Sequence, residues 1–559
     1  MLRKTTFLLI HSTTVAVATA ICGILAPSAE AASFFSFTPV VNNGDLIPNT
    51  NNFFNSYNQP SINERGLVVF RARSQGGAGQ PVSGIFARDM GIPGSPINTL
   101  ATRTTAVPFP NNTGATFNEF PSFPRIDSET DMLAFRGQSQ PVWQVIDPST
   151  GETVTKVGTT GVYTTNPAGD LITGATQLGS LSDFSFFQVP GATAGTKFDQ
   201  FPGAPSPTDG NTVAFKGNWT DSGTGTGKTG VYFRNVLANG GQSIVNLIAD
   251  SNTLIPGTTL GTKFGSTAPP SAAKGQAVFL GVDNEENPTE GGIYQALLSD
   301  PTILNTVVAL GSTPAGTDKA ITRLGEALSF DGRNVAYWGA LGTETRTITL
   351  SCPTEGNKDL VEFCNQEYPE GFTTEVPVNQ GIFLTDVKTL ETRLVAQTGS
   401  DYADFVFWNF SGRPPGVGEG EEGTDAELAR WRSTSFVATE GSGLVFKALK
   451  TSGVQGLYSS LSPDLPIHTV VETGMDGGIL DPQATGLLIS SLGVERDGFR
   501  KGQLVFNASM LGTAEEDSWA GIYYGKAVIP TPALLPGLIG MGVAVLRKRR
   551  DASEDSSNT

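Results

Sequence analysis

Between its two ends, the apolar positions of this chain recur as short runs at repeated places. Seven times an apolar triplet is followed, after a polar loop of variable length, by Gly, an aliphatic residue and an aromatic. The pairs are Val68-Val69-Phe70 with Gly84-Ile85-Phe86, Leu133-Ala134-Phe135 with Gly161-Val162-Tyr163, and Val213-Ala214-Phe215 with Gly230-Val231-Tyr232. They continue with Ala277-Val278-Phe279 and Gly292-Ile293-Tyr294, then Val335-Ala336-Tyr337 and Gly381-Ile382-Phe383. The last two are Leu444-Val445-Phe446 with Gly456-Leu457-Tyr458 and Leu504-Val505-Phe506 with Gly521-Ile522-Tyr523. Short apolar runs bounded by turn residues read as buried strands, and self-similarity at a fixed spacing decides the architecture before any single element does.

One unit, residues 201–266, shows the plan. Residues 204–208 form a short strand, Asp209-Gly210 a turn, and residues 212–218 a second strand. Gly can take positive φ in such a turn, and Asp can bond its own backbone. A polar, glycine-rich loop over 220–228 leads to a third strand at Gly230-Val231-Tyr232-Phe233 and a fourth over 244–249. The same turn chemistry stands at Asn63 to Gly66, Lys274-Gly275, Asp331-Gly332 and Ser442-Gly443. A Gly inside a strand marks a bulge or a close approach of backbone. For the Gly of the third strand the expectation is face-to-face packing of neighbouring units.

Each unit is too small to bury its own core, so the units must pack on one another. The seventh ends after its third strand, near Lys526, and the N-terminus offers an orphan strand over 35–41 followed by Gly44-Asp45-Leu46-Ile47-Pro48. That order matches residues 244–257. The reading is an all-β, seven-bladed β-propeller of four-stranded antiparallel blades, closed by the N-terminal strand. Closure removes exposed sheet edges. A β-solenoid is the alternative, but its rungs would be shorter and would need no displaced strand. The segment Pro60-Ser61-Ile62-Asn63-Glu64-Arg65-Gly66-Leu67-Val68-Val69-Phe70 resembles uncharacterised bacterial repeat families with the pattern Pro-x-Ile-Asn-x-x-Gly-x-Val-x-Phe, degraded in the second unit to Pro124-Arg125-Ile126-Asp127. The resemblance supports the propeller and implies no catalytic residues.

The two ends read as processing segments. Arg3-Lys4, an apolar stretch over 7–25 and Ala29-Glu30-Ala31 form the three parts of a secretory signal peptide over 1–31, with Ala29 and Ala31 as the small residues of the cleavage site. Cys22 would serve a lipoprotein signal, but the bulky Ile21 before it argues against that. The propeller occupies 32–529. Over 530–559, Pro530-Thr531-Pro532-Ala533 precede an apolar run to Leu546 and the basic cluster Arg547-Lys548-Arg549-Arg550. The run is short of the roughly 20 residues of a spanning helix, and the cluster would stay on the cytoplasmic side. This tail resembles the PEP-CTERM class of bacterial sorting signals, in the Pro-Thr-Pro-Ala variant known from cyanobacteria. The resemblance implies recognition by an exosortase-type protease, a transient membrane association, and delivery to the cell surface or extracellular matrix. An uncleaved tail would act as a membrane anchor.

Composition refines this picture. The chain carries 36 basic and 53 acidic side chains, a formal charge of −17. The basic footprint of a nucleic-acid binder is missing, and 33 phenylalanines in regular strands argue against disorder. Apart from Cys22, the cysteines are Cys352 and Cys364, an even pair in an exported chain and therefore an expected disulfide.

Candidate chemistry is sparse. Beyond the leader the only histidine is His468, in an outer strand, where a triad would be far from a central channel. Multi-His zinc sites are excluded by count. Asp283-Asn284-Glu285-Glu286-Asn287 offers oxygen ligands for calcium without the Asp-x-Asp-x-Asp-Gly pattern, and reads as a solvated loop. The acidic run 419–425 reads as an exposed excursion, and the aromatic stretch 405–410 as a packed strand that could alternatively line a binding face. The stretch 223–229 lacks phosphate-loop spacing. No residue is singled out as catalytic or as a metal ligand. The expected function is non-enzymatic binding of a surface polysaccharide or protein. The alternative is a secreted, carboxylate-dependent hydrolase or lyase acting on polysaccharide.

Overall fold

The computed structural model describes residues 34–76, 81–236, 242–258, 261–354, 357–412, 414–415, 428–513 and 517–527. The expected signal peptide with Ala29 and Ala31, the sorting tail from Pro530 to Arg550, and the acidic run 419–425 lie outside the described residues. Seven antiparallel sheets form the blades of a propeller. Blade 1 spans 54–102, blade 2 117–175, blade 3 206–250, blade 4 266–309, blade 5 321–397 and blade 6 402–472. Blade 7 joins 488–527 to the N-terminal strand Phe35–Asn42.

The triplets form each blade's second strand and the Gly-aliphatic-aromatic segments its third. Both faces of a blade are buried, which is why the triplets are continuously apolar. Val68 and Phe70 pack toward blade 7, while Val69 packs toward blade 2. Seven buried clusters result, one at each junction between successive blades. Within each blade the two aromatics are cross-strand partners. Phe70 lies 5.8 Å from Phe86, Phe215 6.1 Å from Tyr232, and Tyr337 5.4 Å from Phe383, centroid to centroid. Such pairs add about 0.5–1.5 kcal/mol beyond their buried area.

The Gly of the third strand serves its own blade and not the neighbouring one. A methyl group on Gly84 would lie 2.6 Å from the Ala101 carbonyl oxygen and 3.0 Å from the Phe86 ring. On Gly230 it would lie 2.5 Å from Tyr232 Oη and 2.8 Å from Asp250 Cβ. The aromatic two residues on folds back over the Gly, and the outer strand closes in from the other side. Immediately after the aliphatic residue the outer-strand register shifts by a bulge, as between Ile85 and Phe86 or Val231 and Tyr232. In blade 7 the shift falls opposite, between Pro39 and Val41.

Each first strand except that of blade 3 is split into two short pieces that pair with different ends of the second strand. Prolines precede several of the inner pieces: Pro60, Pro124 and Pro270. They carry no N–H for a ladder. Inner pieces such as Ser61–Ile62, Arg125–Ile126 and Phe499–Arg500 neighbour one another around the axis and close a ring of seven. Each then turns into its second strand. At Asp209-Gly210, Lys274-Gly275 and Lys501-Gly502 both turn residues have positive φ. In blade 6 the positive φ is at Gly441, not at Gly443.

These turns also join the blades. Gly210 N–H donates to Asp127 Oδ2 (2.7 Å), Gly275 N–H to Thr208 Oγ1 (3.1 Å) and Gly441 N–H to Asp331 Oδ2 (2.7 Å). Closure is as the repeat arithmetic requires: Phe35 pairs with Ala527 and Asn42 with Gly521. The Ala527 N–H donates to the Gly502 carbonyl, so the chain enters and leaves the propeller on the face that carries the turns.

Candidate functional site

The axis is filled by charged side chains from the inner segments of two blades, Arg125 of blade 2 and Asp497 and Arg500 of blade 7. Arg125 of blade 2 is fully buried; its Nε donates to Asp497 Oδ2 of blade 7 (2.5 Å), Nη1 to the Pro270 carbonyl (3.0 Å) and Nη2 to Ser271 Oγ (2.7 Å). Arg500 Nη2 donates to Asp497 Oδ1 (2.7 Å), and its Nη1 to the Thr439 carbonyl (2.8 Å). Burial raises the Asp497 carboxyl, but Arg125 and Arg500 more than offset this and hold it below the usual aspartate range. These groups bond one another, backbone carbonyls and the Ser271 hydroxyl, and Arg500 Nε alone of their nitrogens is left without a hydrogen bond among the described residues, 3.9 Å from Glu440 Oε2. They plug the channel and tie blades 2, 4, 6 and 7 together.

Above this plug, where the inner strands begin, a cleft of about 500 Å³ opens at the junction of blades 6 and 7. Its walls are Phe407 and Trp408 of a hairpin inserted into blade 6, Phe436, Lys447, and the segment 491–496 of blade 7. The hairpin pairs Phe407–Ser411 with Arg430–Thr434 and stands off the blade sheet. The aromatic stretch is therefore divided. Phe405 is buried between blades 5 and 6 and Phe410 packs on Trp431, whereas Phe407 and Trp408 face the cleft.

Lys447 is 8% exposed, in the middle of the second strand of blade 6. Its ammonium sits 4.0 Å from the Phe407 centroid and 5.2 Å from that of Phe436. Burial pushes its pKa down to about 8. Glu495 is buried beside it in the cleft wall and receives a hydrogen bond from Arg496 Nε (2.8 Å). Burial raises its carboxyl more than Arg496 and Arg125 lower it. Four buried polar atoms in this wall have no partner among the described residues: Trp408 Nε1, Ser435 Oγ, Arg496 Nη1 and Asn507 Oδ1. Native interiors pair nearly all such atoms, and four of those left unpaired among the described residues gather in this one wall.

A second cleft, of about 680 Å³, lies between blades 3 and 4, with Lys197, Lys216 and Lys228 alongside Asp199 and Glu285. There Lys197 and Asp199 pair at 3.4 Å. Residues 227–229 belong to it as part of an antiparallel strand, not of a phosphate loop.

The remaining sequence candidates are placed elsewhere. Cys352 and Cys364 form a disulfide, Cα–Cα 5.8 Å, in an insertion of blade 5 built from the hairpin Thr345–Leu350 and Phe372–Pro377 and the helix Lys358–Glu367. His468 begins the outer strand of blade 6 and stacks on Phe34 at 3.7 Å. Asp283 folds its own loop, accepting hydrogen bonds from Thr289 and Glu290. No cluster of three or more His, Cys, Asp or Glu side chains suited to a metal ion occurs among the described residues, and none of their helices is long and apolar enough to cross a membrane. Sequence reasoning missed Lys447, Glu495 and Arg496. The legible signal was a lysine directly after the buried triplet Leu444-Val445-Phe446.

No family model matches the chain, and no curated protein matches it. Solved structures share the fold at low identity. The β-propeller domain of the trilobed protease from Pyrococcus furiosus is 9% identical, with a TM-score of 0.26 over 76% of this chain and 97% of that one. An acylaminoacyl peptidase from Pyrococcus horikoshii is 8% identical (TM-score 0.31, 82% of this chain), and a puromycin-hydrolyzing peptidase from Mycobacterium tuberculosis is 8% identical (TM-score 0.31, 81%). The alignments span 57% and 58% of those two peptidases. The likeness concerns the fold alone.

Proposed function

We propose that this protein is an exported, surface- or matrix-delivered propeller that binds a polysaccharide in the cleft between blades 6 and 7 without transforming it. The observation that carries this reading is the set of four unpartnered polar atoms in an aromatic-walled cleft. Its volume falls within the roughly 300–1,000 Å³ of ordinary ligand sites. The positions of the chain ends support surface display. Phe35 and Ala527 lie on the turn face, opposite the cleft, so a protein tethered through its C-terminal tail would present the cleft outward.

The hydrolase reading has one observation in its favour, the buried Glu495 with its raised pKa, which is the state of a general acid. Glycoside hydrolysis ordinarily needs two carboxyl groups, and Glu495 is the one carboxylate among the described residues lining the cleft. Binding therefore takes precedence. An array of surface polysaccharide fragments probed with the full chain, Trp408→Ala and Glu495→Gln tests both readings. Binding lost in Trp408→Ala, with no product formed, supports the proposal. Product formation abolished by Glu495→Gln would replace it with the hydrolase.

A further inference from the structure

The position directly after each triplet allows blades to be compared. In blade 1 it holds Arg71, whose Nη2 donates to Glu119 Oε1 of blade 2 at 2.9 Å. Glu119 is carried on the first strand of blade 2, opposite Gln138, three residues past Phe135. In blade 6 the same position holds Lys447. Its neighbour at the register of Glu119 is Ser491, opposite Ser509, three residues past Phe506 of blade 7. Ser491 lines the cleft. The repeat thus places a cation at both junctions but supplies the carboxylate at only one.

The rest of the wall does not make up the deficit. Glu495 is engaged by Arg496. Among the described residues, the Lys447 ammonium lies over the rings of Phe407 and Phe436 and has no ion pair. Of the fully buried wall atoms without a hydrogen-bond partner among the described residues, three are donors, Trp408 Nε1–H, Ser435 Oγ–H and an Arg496 Nη1–H, and one is an amide acceptor, Asn507 Oδ1; the Lys447 ammonium lines the same cleft. This cationic, donor-rich recess belongs to a chain of net charge −17. A buried cation without a partner is costly, and an anion that brings acceptor oxygens relieves that cost.

Building on the polysaccharide-binding reading, we infer that the cleft is specific for a carboxylated sugar, with a uronate carboxylate taking the place at Lys447 that Glu119 takes at Arg71. The aromatic wall separates this class from an acidic peptide. Phe407, Trp408 and Phe436 form an apolar surface edged by N–H and O–H groups, which matches a pyranose ring that is apolar on its faces and polar at its rim.

The test is isothermal titration of the full chain with a galacturonic acid hexamer, a neutral galactose hexamer and hexaglutamate. The uronate is expected to bind at least tenfold more tightly than either comparison. Lys447→Met should weaken it tenfold or more, and Lys447→Arg should retain it. Ser491→Glu, which restores the internal carboxylate, should abolish it. Equal binding of the two hexamers, both lost in Trp408→Ala, would overturn the inference and leave the cleft as a neutral-glycan site. Binding of neither hexamer, or tighter binding of hexaglutamate, would also overturn it.

Discussion

Arg125 and Asp497 meet at 2.5 Å across the propeller axis, 372 residues apart in sequence and both buried. This contact joins the second blade to the seventh. Removing one partner of a buried ion pair typically costs about 3–5 kcal/mol, because the other is left uncompensated. Asp497→Asn also strips Arg500 of its carboxylate, so urea unfolding should show a loss at the upper end of that range. The pH dependence has a definite sign. The folded carboxyl of Asp497 lies below its unfolded value of about 3.9. Its contribution is therefore present above about pH 4 and lost as pH falls through the folded value. The melting temperature of the native protein should drop steeply in that acid range, and that of Asp497→Asn should drop less.

The N-terminal strand is the second closure. Deleting 34–42 would expose the third strand of blade 7, Ser518–Ala527, as an open edge. Unpaired edges template association. Sedimentation should find oligomers or aggregates where the full chain gives a discrete species. Unchanged sedimentation and melting would mean the strand is dispensable.

The glycine of the repeat is testable at one site. Gly230→Ala pushes a methyl group against Tyr232 and Asp250, and overpacking of this kind costs about 1–3 kcal/mol. Gly223→Ala, in the exposed loop of the same blade, has no neighbour closer than 3.3 Å and should change the unfolding midpoint little.

Lys447 should lower stability at neutral pH. Its folded pKa of about 8 lies below the ordinary 10.5, so the unfolded chain holds the extra proton between those values. Its cost is full below about pH 8 and disappears as pH rises toward 10.5. Glu495 and Arg496 are the charged groups that share the cleft with it. Lys447→Met should therefore be more stable than the native chain at pH 7, a gain that shrinks by pH 10 in paired urea titrations, while uronate binding weakens tenfold or more.

Much of this fold was legible because the blade's second and third strands are its most buried parts. A triplet such as Val68-Val69-Phe70 can hardly be read as anything else. The orphan strand 35–41 was legible because the seventh unit was one strand short. Among the inner strands only that of blade 3 was legible, where residues 204–208 read as a strand and Ser206–Thr208 form one. Ser61–Ile62 and Phe499–Arg500 are two residues long and carry no periodicity. Arg125 and Arg500 look like surface charges until the ring brings Asp497 between them. The cleft was hidden for a similar reason: Phe407 and Trp408 alternate as a core strand would, and only the inserted hairpin turns them outward. Lys447 broke an apolar run, and that break was the available clue.

Export is tested by mass spectrometry of the protein recovered from its native cell surface. The expected mature N-terminus follows Ala31, and the expected C-terminus lacks the basic cluster Arg547-Lys548-Arg549-Arg550. Recovery of both intact ends would rule out this processing.

The most direct test of the account is hydrogen–deuterium exchange of the full chain with and without a saturating glycan ligand identified on the array. Protection is expected at 407–409, 434–437 and 491–496, where the cleft walls are. Protection confined to the turn face, at 64–66, 274–275 and 501–502, would contradict it.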